Sequence, residues 1–143
     1  MNTPTTADFV SVRIITGDVE RLTRFFEHVT GVSAERPAPV FAELRTATGT
    51  IAIGAPATVS MLGANAPVPG PNGSTLIELR VTDVDQTWDR LCRSSPAVVA
   101  EVVLEPADMP WGNRSMILRD PDGGLLNLFT PITREARAKY GLD

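Results

Sequence analysis

Hydrophobic and polar residues first alternate along the chain and then recur at a helical period. Residues 9–15 alternate, which predicts a half-buried strand whose even-numbered apolar side chains face a helix. Asp18 is a good helix N-cap, and apolar residues then recur at helical spacing as far as Gly31, a typical helix end. The chain therefore begins with a strand and an amphipathic helix.

The same succession recurs 65 residues later. Leu76 to Val81 alternates like the first strand, and Asp83 is placed to cap a second helix as Asp18 caps the first, because 83 − 18 = 65. Two proline-containing turns, at Pro56 and Pro121, share this offset, because 121 − 56 = 65. Two independent landmarks with one offset predict an internal duplication.

Hairpins are predicted to follow each helix. The run Asp120-Pro121-Asp122-Gly123-Gly124 supplies a preset φ, an Asx side chain and flexible glycines, so it predicts a tight turn between two apolar strands. A weaker version, Gly54-Ala55-Pro56-Ala57, predicts a turn in the first copy. The predicted strands after the helices are 41–46, 51–53 and 59–62 in the first copy, and 98–104, 115–118 and 125–129 in the second.

A turn-rich segment separates the two copies. Residues 63–74 contain too many Gly, Pro and Asn residues for regular structure, so we interpret them as a linker. The 143 residues are then one domain, with a first module at 9–62, a second at 75–131 and a tail at 132–143 that forms a short helix.

Two copies of a strand, an Asp-capped helix and three strands, with Asp-Pro-Asp-Gly in the final hairpin, resemble the vicinal oxygen chelate superfamily. This family contains glyoxalases, bleomycin-resistance proteins and extradiol dioxygenases, and the resemblance covers roughly residues 9–131. It implies an α+β fold in which two βαβββ modules form a curved mixed sheet around a cup. Because such cups are often completed between subunits, it also implies a homodimer.

The amino-acid composition limits which kinds of binding partner and which cellular compartment are expected for the protein. The formal charge of −4 and the pI near 5.0, without a basic cluster, argue against a nucleic-acid partner. No apolar run approaches the roughly 18 residues of a membrane span, so no membrane partner is expected. The single cysteine, Cys92, excludes an intramolecular disulfide and favours a reducing compartment, and we expect a cytoplasmic protein.

The resemblance also implies where a metal would bind. Enzymes of the family hold a divalent metal through His or Glu side chains early in each module's first strand and late in its last strand. On this chain those positions are Ser11, Leu76, Met61 (or Leu62) and Asn127. None is a good ligand for zinc, nickel, manganese or iron, and the one histidine, His28, lies near the end of the first predicted helix. We therefore expect no metal cofactor.

Arg13 and Glu78 occupy equivalent positions of the two copies, because 78 − 13 = 65. By strand alternation both lie on the face turned away from the helix, where the resemblance places the cup. One interpretation is an ion pair that fixes how the copies meet. The other is functional: Arg13 binds an anionic or carbonyl oxygen, and Glu78 accepts a proton or hydrogen bond, as the catalytic residue if the protein is an enzyme.

Trp111 lies between Pro110 and Gly112, outside any helical or alternating pattern. A tryptophan in such a loop presents a flat apolar surface to a planar ligand or a partner subunit, or else seals the edge of the cup. Pro-Trp-Gly before the final hairpin also resembles the corresponding stretch of bleomycin-resistance-type proteins. Further candidates for ligand binding on the cup face are Asn127, Phe41 and Phe129.

These features favour a metal-independent protein that binds an apolar or aromatic small molecule, such as a drug or metabolite, without a cofactor. The alternative is a lyase, isomerase or dioxygenase of the same superfamily. Such an enzyme would use Glu78 in acid-base catalysis, or would hold a divalent metal through atypical ligands such as Glu78 and Glu43. A third hypothesis is a subunit whose cup is vestigial and whose surface serves assembly.

Overall fold

The computed structural model describes residue 3 and residues 5–94 and 101–143. The chain forms two compact units, Met1–Pro69 and Gly70–Asp143. Their boundary falls within the turn-rich segment 63–74. In the described residues, no helix is long and apolar enough to cross a membrane.

The described part of the first unit folds in the order βαβββ. Its elements are β1 (Ser11–Ile15), α1 (Val19–Thr30), β2 (Glu35–Ala38), β3 (Phe41–Arg45) and β4 (Thr50–Gly54), followed by 3₁₀ turns over Pro56–Asn65. β1 lies parallel to β4, whereas β3 pairs antiparallel with both β4 and β2. The resulting sheet has the order β1-β4-β3-β2.

The second unit repeats this arrangement. Its elements are β5 (Leu76–Arg80), α2 (Val84–Cys92), β6 (Glu101–Asp108), β7 (Asn113–Arg119), β8 (Leu125–Pro131) and a short α3 (Arg134–Lys139). The sheet order is β5-β8-β7-β6, with β5 parallel to β8. Residues 98–100 of the predicted strand 98–104 lie outside the described residues. The α+β prediction of two βαβββ modules is confirmed.

The local signals that predicted the helices act as expected. Asp18 caps α1 by accepting a hydrogen bond from the Arg21 amide at 3.0 Å, and Asp83 accepts from the Gln86 amide at 3.1 Å to cap α2. Gly31 ends α1 in the left-handed conformation, with φ 73°, which a residue with a side chain rarely adopts. The offset of 65 residues therefore holds for the first strand and helix of each unit.

Each sheet buries one face under its helix. In the first unit, α1 packs on β3 and β4. In the second, the Val84 amide at the start of α2 donates to Thr130 Oγ1 on β8 at 2.9 Å. The apolar residues buried on these two helix-covered faces are Ala42, Leu44, Ile51 and Ile53 in the first sheet, and Met116, Leu118, Leu126 and Leu128 in the second.

We call the opposite face of each sheet its distal face. Successive side chains of a strand point to opposite faces, so the residues between the buried ones lie on the distal face. Arg13 pairs with Ala52 there, and Ala52 pairs with Glu43 on the next strand. In the second sheet, Glu78 pairs with Asn127. Arg13 and Glu78 therefore occupy equivalent positions of their sheets, each on the face turned away from the helix, as predicted.

The predicted turn at Gly54–Ala57 and the strand at 59–62 are wrong. Residues 56–65 form 3₁₀ turns, in which Thr58 Oγ1 donates back to the Ala55 carbonyl at 2.8 Å. The missing strand is β2, which contains Pro37 and precedes the predicted strand 41–46, in a segment where no strand was predicted. β2 lies at the edge of its sheet, where a strand tolerates proline because one side of its backbone needs no hydrogen bond to the sheet.

This correction moves the candidate metal position in the last strand of the first module. The last strand is β4, and it is offset from β8 by 75 residues, because 125 − 50 = 75. Since Arg13 pairs with Ala52 as Glu78 pairs with Asn127, the counterpart of Asn127 is Ala52. Met61 and Leu62 were wrongly assigned to this position, because they belong to the 3₁₀ turns.

The predicted hairpin around Asp120 is confirmed as the turn between β7 and β8. Asp120 Oδ1 accepts hydrogen bonds from the amides of Asp122 at 2.8 Å and Gly124 at 3.0 Å. Asp120 is buried, and this burial raises the pKa of its carboxyl group above its ordinary value of 3.8. The folded turn therefore favours the protonated form of the Asp120 carboxyl group.

This raised pKa predicts a pH effect on stability. As pH rises from about 3.8 through the raised pKa, the Asp120 carboxyl group ionises first in the unfolded state. The free energy of unfolding therefore decreases over this range. Asp120→Asn keeps the Oδ1 acceptor and removes the ionisation. We expect the stability of the native chain relative to Asp120→Asn to fall between pH 3.5 and pH 7, measured by urea unfolding. A constant or rising difference would contradict the assignment.

Candidate functional site

Two polar side chains meet on the distal face of the second sheet. Asn127 Nδ2 donates a hydrogen bond to Glu78 Oε2 at 2.9 Å. Asn127 is only 3% exposed, whereas Glu78 is open to solvent. Because the amide nitrogen is turned toward the carboxylate, Asn127 Oδ1 points away from it and remains available as an acceptor.

The same face holds two buried polar atoms that the chain does not pair. Among the described residues, neither Asn127 Oδ1 nor Ser115 Oγ has a hydrogen-bond partner, and Ser115 is 1% exposed. Ser115 pairs with Phe129 and Ile117 pairs with Asn127, so the two polar residues are diagonal neighbours. Each unpaired buried group costs about 1–3 kcal/mol of folding free energy. Folding alone therefore does not account for them.

Aromatic residues border these polar atoms. Phe129 is buried on the distal face, and its ring lies against Tyr140 at the end of α3, with ring centroids 5.7 Å apart. The Arg80 guanidinium in turn lies over the Tyr140 ring, 5.2 Å from its centroid. Phe129 thus contacts the C-terminal segment, and Tyr140 forms part of the site.

Sequence reasoning brought Glu78, Asn127 and Phe129 to one face but missed Ser115 and Tyr140. Ser115 was interpreted only as the first residue of a predicted strand, and its side chain becomes notable through burial beside Asn127. Tyr140 is the only tyrosine of the chain, which was a weak signal. Its contacts with Phe129 and Arg80 join residues distant in sequence, so no local pattern indicates them.

The distal face of the first sheet carries a different set of side chains. The Arg13 guanidinium lies over the half-buried Phe41 ring, 5.7 Å from its centroid, as a cation–π pair. Glu43 accepts from Arg45 Nη2 at 3.3 Å, and Arg45 also pairs with Glu35 at 3.5 Å. Two sequence candidates, Arg13 and Phe41, are therefore in contact, while Glu43 is already engaged in an ion pair.

The first unit also has an open cavity of about 310 Å³ beside the start of α1 and the β2–β3 hairpin. Arg36 lines it and bridges Glu27 at 2.7 Å and Glu20 at 3.1 Å. The hydrogen bond from Arg36 lowers the pKa of Glu27 and also that of Glu20. These pairs connect β2 to α1, so we interpret the cluster as structural.

Trp111 lies in the loop between β6 and β7 and is 65% exposed. The Gly112 carbonyl accepts hydrogen bonds from the amides of Ile132 and Thr133, at 2.9 and 3.1 Å, so this loop is tied to the start of α3. Gly112 has φ 96°, and a Cβ atom at this residue would collide with the Thr133 hydroxyl and crowd Ala136. This packing holds the neighbouring Trp111 at the surface.

The residues at the candidate metal positions do not fit a transition metal. Corrected by the strand pairing, they are Ser11, Ala52, Leu76 and Asn127. Only a hydroxyl and an amide among them carry oxygen, and such metals prefer imidazole, thiolate or carboxylate ligands. Within the described parts of the chain, no three His, Cys, Asp or Glu side chains are grouped to hold a metal ion.

Comparisons with known proteins agree with this architecture. The sequence model of the Glyoxalase/Bleomycin resistance protein/Dioxygenase superfamily matches residues 8–128. A glyoxalase/bleomycin resistance protein/dioxygenase from Nocardioides is similar in structure, with TM-score 0.72 and 20% identity over 92% of this chain and 88% of that one. No match was found among curated proteins.

Two further solved structures are similar. A glyoxalase/bleomycin resistance protein/dioxygenase family enzyme from Burkholderia phytofirmans PsJN has TM-score 0.72 and 20% identity, over 88% of this chain and 100% of that one. TioX from Micromonospora sp. ML1 has TM-score 0.62 and 24% identity, also over 88% of this chain and 100% of that one. At these identities, the similarity is one of fold.

The packing of Gly112 predicts a position-specific loss of stability. Gly112→Ala adds a side chain at positive φ against Thr133, so we expect it to lower the free energy of unfolding by about 1–3 kcal/mol. Gly73→Ala is the matched control, because a Cβ there meets nothing within 4 Å. Urea unfolding measures both variants. Equal stabilities would show that the Gly112 contact does not constrain the loop.

Proposed function

The chain belongs to the Glyoxalase/Bleomycin resistance protein/Dioxygenase superfamily, and from this premise we propose that it is a metal-independent binder of an apolar or aromatic small molecule. The observation that carries the proposal is the distal face of the second sheet. There Asn127 and Ser115 keep buried polar atoms unpaired beside Phe129. A mostly apolar surface with a few convergent polar groups is typical of ligand sites.

The donor chemistry supports the metal-independent part of the proposal. Ala52 and Leu76, at two of the candidate metal positions, have no ligand atom in their side chains. At a third position, the Asn127 amide nitrogen donates a hydrogen bond to Glu78. Glu43, an atypical ligand in the alternative hypothesis, is paired with Arg45. Binding energy must then come from apolar contact and hydrogen bonds rather than from coordination.

A second candidate function has one specific observation in its favour. Glu78 is an exposed carboxylate on the distal face, held through one oxygen by buried Asn127. A carboxylate fixed in this way and open to a ligand is placed to accept a proton in acid-base catalysis. Turnover that Glu78→Gln abolishes without weakening binding would favour a metal-free lyase or isomerase over a binding protein.

The binding proposal is tested with N-phenyl-1-naphthylamine, a neutral aromatic fluorescent probe. We expect saturable binding near one probe per chain, unchanged by EDTA, in protein that elemental analysis finds to hold less than about 0.1 transition metal per chain. Phe129→Leu, on the distal face of the second sheet, and Trp111→Ala should each raise the probe Kd about fivefold or more, through lost aromatic contact. Val68→Ala, at an exposed linker side chain, is the control. Metal-dependent or absent saturable binding would overturn the proposal.

We also propose that the protein is a homodimer, which the family resemblance suggests. Phe9 and Val10 precede the edge strand β1 and are 73% and 69% exposed, so they offer an apolar surface to a second copy.

The exposed thiol of Cys92 fits a reducing, cytoplasmic setting, which cell fractionation would check.

The homodimer is tested by sedimentation equilibrium. We expect the native chain to be a dimer at micromolar concentration and the double variant Phe9→Glu, Val10→Glu to be monomeric, because two charges oppose burial of this surface. Val68→Glu, at an exposed linker position outside the surface, should stay dimeric. A native chain that is monomeric at 100-fold higher concentration would show that the dimer proposal is wrong.

A further inference from the structure

We infer that the ligand of the second distal face carries a hydrogen-bond donor, with an aliphatic ammonium or a similar cation as the preferred group. This inference rests on the proposed function, since it names the ligand class of the same surface. It starts from the chemistry of the three polar side chains on that face, Glu78, Asn127 and Ser115. Two of them carry oxygens that accept hydrogen bonds, and the third is a hydroxyl that can accept as well as donate.

The Glu78 carboxylate is the first acceptor. One of its oxygens takes the Asn127 amide proton, which holds the group in place on the sheet. No Lys, Arg or His nitrogen of the described residues lies within 4.0 Å of the Glu78 carboxylate. Arg80, two residues further along the same strand, has its guanidinium over the Tyr140 ring. The Glu78 charge is therefore left for a ligand.

The orientation of Asn127 supplies the second acceptor. Because its Nδ2 donates to Glu78, the Asn127 amide cannot turn to offer a donor to a ligand without placing its own amide oxygen against a Glu78 carboxylate oxygen. Its Oδ1 is buried and unpaired among the described residues. Such an atom needs a donor from outside the chain, either from a ligand or from water held with it. An ammonium group carries three donors and no acceptor, which complements this arrangement.

The surroundings favour a cation attached to an apolar body. Ile117 pairs with Asn127 on the distal face, and Phe129 lies two residues beyond Asn127 on the same face. An aromatic ligand body would contact these side chains while its ammonium reaches Glu78. Besides carrying the second acceptor, Asn127 positions the Glu78 carboxylate, because its Nδ2 donates to Glu78 Oε2.

The experiment compares three probes with one aromatic body: 1-naphthylmethylammonium, 1-naphthylmethanol and 1-naphthoate. Their Kd values are measured by competition with N-phenyl-1-naphthylamine at pH 7 and fixed salt. We expect the ammonium to bind at least tenfold more tightly than the carboxylate, with the alcohol between them. In Glu78→Gln this ratio should fall to about one or two, while the Kd of the alcohol changes less than twofold. Glu78 is exposed, so the substitution should not disturb folding.

Two further variants locate the effect. Glu43→Gln, which removes a carboxylate from the first distal face, should leave the tenfold ratio unchanged. Asn127→Leu keeps Glu78 but frees its carboxylate, so it should lower the ratio severalfold without abolishing binding of the alcohol. A general loss of packing at Asn127 would instead weaken all three probes alike and would contradict the positioning role.

The outcomes separate this inference from the proposed function. If the three probes bind equally, or if 1-naphthoate binds most tightly, the donor preference is wrong while aromatic binding stands. A preference for the ammonium that survives in Glu78→Gln would overturn the assignment to Glu78. If N-phenyl-1-naphthylamine binds but none of the three probes displaces it, even at millimolar concentration, the inference is wrong while the proposed binding of aromatic compounds stands.

Discussion

The site depends on one geometric constraint, the alternation of side chains along a strand. Each sheet must bury one face under its helix, and burial of Leu126 and Leu128 in the second sheet removes apolar surface from water. Asn127 and Phe129 are then forced onto the distal face, because they are the residues next to the buried ones. The core that stabilises the unit thereby also fixes which side chains lie on the distal face.

The two distal faces show how a duplicated unit diverges while its core stays apolar. At equivalent positions, Arg13 pairs with Ala52 in the first sheet, and Glu78 pairs with Asn127 in the second. The first face engages its arginine with the Phe41 ring, whereas the second holds a carboxylate through a buried amide. The helix-covered faces tolerate no such exchange of charge, because an unpaired buried charge is very costly.

The distal face of the second sheet also bears a cost that its fold does not require. An apolar residue at 127 or 115 would leave no polar atom unpaired, yet the chain keeps an amide and a hydroxyl there. Glu78, whose carboxylate is held through one oxygen by Asn127, is left exposed on the same face. A buried polar atom that has no partner within the chain can receive its hydrogen bond from a ligand.

The sequence by itself determined the elements whose signals are local. Asp18 and Asp83 cap their helices through contacts within a few residues, and the Asp120 turn closes through its own side chain, so these features were predicted correctly. Alternation also placed Arg13 and Glu78 on the faces turned away from the helices. In each case the physical cause lies within one stretch of chain.

Tertiary structure alone decided the rest. No strand was predicted at β2, which contains Pro37, and a hairpin was wrongly predicted where the 3₁₀ turns lie. The position of a strand in its sheet decides whether proline is tolerated there, and local sequence does not contain that information. The bond between Asn127 and Glu78 spans 49 residues, and the contact of Tyr140 with Phe129 also depends on how separate elements pack. Hydrogen bonds and burial between distant residues are properties of the folded chain, so only the fold could reveal which polar atoms are left unpaired.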